Sequence, residues 1–161
     1  VPATEIEIKL SEYIEEAIAL RFDFIVPDFQ ADFVQLHSAV VQSQDILSKI
    51  ENILSKVIRE KSAAERKVYL DKMRFQEKFD RAISNAGKRP TLGEYATGKE
   101  KVSEANLAAF TELRILNASE YLLLFATEAV DIIRLHYYGL DKVRQDLRKR
   151  LDLQSADLRN A

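Results

Sequence analysis

From Phe33 to Ala82 the apolar residues keep alternating spacings of three and four: Phe33, Leu36, Val40, Leu47, Ile50, Leu54, Val57, Ala64, Val68, Phe75 and Ala82. Such a seam marks one side of an α-helix, in the manner of a coiled coil. Polar residues interrupt it at Ser43, Lys61, Asp71 and Lys78. A second row, Ile46, Ile53 and Ile58, widens the apolar face in the middle, and Phe79 and Ile83 widen it near the end. Phe33–Ala86 runs for 54 residues without Gly or Pro, the residues that most disfavour a helix interior, by about 1 and about 3 kcal/mol relative to Ala. The pattern predicts one long central helix or two collinear ones. At ~1.5 Å per residue such a helix would reach about 80 Å, far beyond the radius of gyration of about 15 Å of a compact chain this size. Either the helix breaks near Lys61–Ala64, or the protein is elongated and packs against other copies. The second is the expectation, because an ordinary globular helix rarely exceeds about 20 residues.

Around this stretch the punctuation is clear. Thr4 and Glu7 have the spacing of a capping box, opening a first helix with Ile6, Leu10, Tyr13, Ile14, Ala17 and Ile18 on its apolar face. Leu20–Val26 alternates with the two-residue period of a strand, but an extended connector into a helix starting near Asp28 is the simpler reading, with Pro27 suited to its first turn. A true strand would need a partner from another subunit. Residues 1–27 thus form an acidic arm, a helix and connector, and residues 28–161 form the core domain. Asn85-Ala86-Gly87 stops the long helix, and residues 85–102 read as an exposed Gly-rich loop. Ser103 is expected to cap the next helix, which carries Leu107, Phe110, Leu113, Leu116, Tyr121, Leu124 and Ile133 at helical spacing. Tyr137-Tyr138-Gly139 reads as a hinge or tight junction before a basic amphipathic helix over Leu140–Leu153. The expected class is all-α: an elongated, oligomeric helical bundle.

Charge changes this picture more than composition does. The net charge of −2 conceals segregation: residues 1–32 are strongly acidic, residues 56–89 carry eleven bases against five acids, and residues 134–161 are again basic. Such blocks point to complementarity between segments, between subunits, or towards a polyanion. There is no Cys, which excludes disulfides, thiolate metal sites and thiol catalysis. No apolar run approaches the ~18 residues of a membrane span, so no membrane partner is expected and the cytoplasm is the expected compartment. The first residues carry acids and lack a basic region before an apolar core, so they do not read as a signal peptide. A start at Val1 fits loss of an initiator Met or a fragment.

Catalytic motifs do not survive scrutiny. Gly93–Glu100 matches the first seven positions of a phosphate-binding loop, G-x-x-x-x-G-K-[ST], but Glu100 replaces the hydroxyl that would hold Mg²⁺ and no strand precedes it. His37 and His136 are the only histidines, and neither belongs to a Glu-x-x-His metal pair. No serine sits with a recognisable base. The reading is therefore a non-enzyme with no cofactor, no metal and no small-molecule substrate. The basic clusters are the lead. Arg66, Lys67, Lys72, Arg74 and Lys78, extended by Lys88 and Arg89, lie near Tyr69, Phe75 and Tyr95. Cations with interleaved aromatics suit single-stranded nucleic acid, by phosphate neutralisation and base stacking. Glu60, Glu65, Asp71, Glu77 and Asp80 are mixed in, so a salt-laced helix face accounts for the same residues.

A lysine- and arginine-rich helix, a Gly-rich loop, then a helix ending in I-I-R-L-H-Y-Y-G-L-D-K-V-R-Q-D-L-R resembles the UvsY-type recombination mediators of tailed phages. The likeness covers about Ile46–Leu153. It implies a ring-like helical homo-oligomer that binds single-stranded DNA and helps load a RecA-like recombinase in the host cytoplasm. It implies DNA contacts at Lys67, Lys72, Arg74, Arg134, Lys142 and Arg144. The chain departs from the family in its long acidic N-terminal arm and its slightly negative balance. The alternative is a structural or assembly protein, phage or bacterial and placed in a virion if phage-borne, that uses the long helix for subunit packing alone.

Overall fold

In the computed structural model, which describes residues 4–22, 32–86 and 98–161, every regular element is an α-helix. The chain is all-α, as the spacings predict: α1 (Glu5–Ala19), α2 (Phe33–Ala86), α3 (Gly98–Ala108) and α4 (Phe110–Asn160). α1 opens on its capping box. Thr4 Oγ1 accepts from the Glu7 N–H at 3.3 Å, and the Glu7 carboxylate accepts from the Thr4 N–H. It stops at Leu20, whose backbone is extended (φ −73, ψ 115). The rest of the alternating segment and Pro27 lie outside the described residues. A reciprocal cap that the sequence reading missed opens α2: Asp32 Oδ1 accepts from the Gln35 N–H at 2.8 Å, and Gln35 Oε1 accepts from the Asp32 N–H at 3.3 Å. The signal was an Asp followed three residues later by Gln.

α2 runs through Lys61–Ala64 without a break, the preferred of the two alternatives for the helix, because nothing in that tetrapeptide lacks a backbone donor or forces positive φ. Two expectations need correction. Residues 98–102 are helical rather than loop, and Ser103 lies inside α3. The helix begins five residues before Ser103, with Glu100 in the first turn, where a carboxylate complements the N–H groups exposed there. α4 passes through Tyr137-Tyr138-Gly139 as unbroken helix. A single Gly costs a helix about 1 kcal/mol relative to Ala, less than the flanking packing supplies. Residues 87–97, including most of the expected loop, lie outside the described residues.

The chain divides into two compact units, Val1–Arg59 with Thr127–Ala161, and Glu60–Ala126. In the first, residues 33–59 of α2 run antiparallel to residues 127–160 of α4. Leu36, Ala39 and Val40 pack on Leu147, with Val143 and Leu151 alongside. Leu47, Ile50, Ile53 and Val57 from α2 and Ala129, Val130 and Ile133 from α4 are also buried. α1 adds Leu10 and Ala17, and Lys56 stands over the Tyr13 ring. Ser43, an apparent break in the seam, is fully buried and donates to the Val40 carbonyl at 2.7 Å, so its hydroxyl needs no outside partner.

Tyr137 ties these antiparallel segments together by donating its hydroxyl to Glu51 at 2.6 Å. That hydrogen bond, with burial and the Glu51 charge, pushes the phenol up to about 12 from an ordinary 10.0. A raised pKa means a stabilising contribution that is full below about pH 10 and lost as pH rises through about 12. Tyr137→Phe is expected to cost about 1 kcal/mol at neutral pH. It should also remove that part of the alkaline loss, as read by thermal melts across pH 8–12.

In the second unit, residues 60–86 of α2 run antiparallel to residues 110–126 of α4. Asp71, the third interruption of the seam, is only 4% exposed. The Ser119 hydroxyl, also buried, donates to its carboxylate, and the Arg74 guanidinium stands 3.6 Å away. Half-buried Ala64, Val68, Phe75 and Ala82 line the same side of α2. Asp71→Ala is expected to cost about 1–3 kcal/mol, read as a lower melting temperature. Asp71→Leu with Ser119→Ala, which removes both polar groups, is expected to recover most of that loss.

Candidate nucleic-acid interface

A helix whose inner face is apolar presents its remaining residues to solvent, and in the Glu60–Ala126 unit these include five of the ten cations expected to touch nucleic acid. Arg66, Lys67, Lys72, Arg74 and Lys78 are all exposed on α2. They fall into two groups. Arg74 and Lys78 are held by carboxylates: Arg74 by Asp71 at 3.6 Å, and Lys78 by Glu112 at 2.8 Å. Arg81, one turn further on, pairs with Glu77 at 2.7 Å. These residues border a groove of about 540 Å³ whose opposite wall carries Glu104 and Glu112. The groove holds as many carboxylates as cations, so it is poorly suited to a phosphate chain.

The Lys78 ammonium holds the Glu112 carboxyl below its ordinary value, chiefly through their hydrogen bond and despite partial desolvation. Its contribution to stability is therefore present above the ordinary carboxylate range and lost as pH falls through the lowered value. The other Glu112 oxygen is buried without a hydrogen-bond partner among the described residues. Sequence reasoning missed Glu112 as a partner because 34 residues separate it from Lys78.

Arg66, Lys67 and Lys72 form the other group, with no carboxylate within ion-pair distance among the described residues. Tyr69 lies between Arg66 and Lys72 along the helix and is 64% exposed, with Leu70 and Met73 beside it. Arg66, Tyr69 and Leu70, together with Ser62 and Glu65, line an open depression of about 470 Å³. Its surface is mostly apolar, and its charged residues are one cation, Arg66, and one carboxylate, Glu65. An exposed aromatic face flanked by uncompensated cations can stack a base while neutralising the phosphates beside it.

The remaining candidates divide similarly. Lys88 and Arg89 lie outside the described residues. Arg134, Lys142 and Arg144 belong to α4 in the other unit. Arg134 and Lys142 are exposed, whereas Arg144 is largely buried and donates to Asp141 at 2.8 and 2.9 Å. That pairing leaves Arg144 little capacity for phosphate. His136 Nε2 lies 2.8 Å from the Leu20 carbonyl, and His37 stacks on Phe33 with centroids 6.0 Å apart. Among the described residues no group of three or more His, Asp or Glu side chains is placed to hold a metal ion. No helix among them is long and apolar enough to cross a membrane. No protein-family model, curated protein or solved structure matches the chain.

Proposed function

We propose that this chain is a non-catalytic, single-stranded-DNA-binding protein that acts as a homo-oligomer, in the manner of a phage recombination mediator that helps a RecA-like recombinase onto the strand in the host cytoplasm. The observation that carries the reading is the exposed Tyr69 between Arg66 and Lys72 on α2, which also exposes Lys67: three cations without carboxylate partners among the described residues, on a chain that is acidic overall. At these three positions the i,i+4 pairing that Arg81 makes with Glu77 is absent among the described residues. Stacking on an aromatic is worth about 1–3 kcal/mol per base. Tyr69→Ala is therefore expected to weaken binding of labelled oligo(dT) by roughly 5- to 150-fold, read by fluorescence anisotropy, with the helical circular dichroism unchanged. An affinity equal to wild type would remove Tyr69 from the interface and the reading with it.

A second reading, an assembly protein without nucleic acid, is favoured by the apolar surface of the same unit. Leu107 on α3 and Phe110, Tyr121 and Leu124 on α4 are each more than half exposed. Oligomers that bind no DNA at low salt would support it.

A further inference from the structure

Gly139 has no internal reason to be glycine. It lies well inside α4, and a Cβ added there would meet nothing within 4 Å. Alanine would fit and would favour the helix by about 1 kcal/mol. Its neighbours on the helix face are equally unexplained by the packing of their own unit. Ile132, Leu135 and Tyr138 are 41%, 72% and 56% exposed, a run of large apolar side chains turned away from the core. Glu128 and Lys142 close the two ends of the same face. Both are exposed, and neither has an ion-pair partner among the described residues. Fourteen residues of helix, roughly 21 Å, separate them, so they cannot pair with each other within one chain.

The face is symmetric about Leu135. Ile132 and Tyr138 stand three residues to either side of it, and Glu128 and Lys142 stand seven. In a two-fold contact every residue meets its mirror position. We infer that a second copy of this chain packs antiparallel on this face of α4 about a dyad at Leu135. Each Ile132 then lies against the partner Tyr138, and each Glu128 against the partner Lys142. Gly139 mirrors the exposed Asp131 about Leu135, and its missing Cβ leaves room for that side chain in the contact. A partner of another kind would have no need of opposite charges at mirrored positions; a second copy supplies two ion pairs from one. The inference rests on the self-association in the proposed function and assigns Lys142 to that contact rather than to DNA.

The test measures the mass of the full chain by sedimentation equilibrium without DNA. Wild type is expected at a multiple of the 18.4 kDa monomer. Leu135→Glu is expected to lower that mass at least about twofold with unchanged helical circular dichroism, because a buried unpaired carboxylate opposes the contact. Glu128→Lys and Lys142→Glu should each weaken association by about tenfold or more, since each juxtaposes like charges twice. An equimolar mixture of these two variants should restore it, because both pairs become complementary again. Gly139→Gln should raise the melting temperature while lowering the mass. A monomeric wild type, an unchanged mass in Leu135→Glu, or a mixture that fails to recover would overturn the contact. Oligo(dT) affinity measured on the Tyr69→Ala variant reports separately on the DNA reading, because Tyr69 lies on another helix.

Discussion

Arg66→Glu, Lys67→Glu and Lys72→Glu, combined in one protein, are expected to weaken binding to single-stranded DNA by about two orders of magnitude or more near 50 mM salt and to flatten its salt dependence. Each cation that sits on a phosphate releases counterions, so three lost contacts should reduce the slope of log K against log salt by about 2 on a single strand. Glutamate keeps the helix propensity of the residues it replaces, and all three positions are exposed, so stability should change little. The comparison that gives the result meaning is Arg74→Ala with Lys78→Ala. Those cations already face Asp71 and Glu112, and their removal should cost far less affinity. If the paired cations matter more than the unpaired ones, the interface lies along the mixed-charge groove instead.

Ile50→Ala is expected to have the largest effect on the fold, about 2–5 kcal/mol. Ile50 is fully buried in the Val1–Arg59 and Thr127–Ala161 unit, and α2 cannot shift to close the cavity without dragging its other seam residues. A chain stabilised by only about 5–15 kcal/mol would lose a large share of its margin, and the melting temperature should fall by several degrees or more. Val34→Ala, also on α2 but 72% exposed, should fall within about 0.5 kcal/mol of wild type. Comparable losses at the two positions would contradict the assignment of the seam.

The apolar spacing made much of this legible. It marked most of Phe33–Ala86 as helix and identified Leu36, Val40, Leu47, Ile50 and Val57 as its inner side. What the spacing could not show was how polar interruptions are resolved. Ser43 satisfies itself within its own helix turn, whereas Asp71 depends on Ser119, 48 residues away, and such pairing depends on packing that local periodicity does not encode. Charge patterning had the same limit. It marked the basic half of α2 but treated Arg66, Lys67, Lys72, Arg74 and Lys78 alike, because the Glu112 that separates Lys78 from the others arrives from α4. Gly139 misled in the opposite direction. Glycine is often a breaker, but flanking Ile133 and Leu147 are buried strongly enough to carry the helix through it.

Arg66, Lys67 and Lys72 are proposed to bind a single strand of DNA through its phosphates. The most direct measurement is the anisotropy of labelled oligo(dT) titrated with wild-type protein at several salt concentrations between 50 and 200 mM. With three phosphates neutralised per chain, log K should fall with log salt at a slope of about −2 per chain engaged. No binding at 50 mM salt, or binding that does not change with salt, would contradict that proposal.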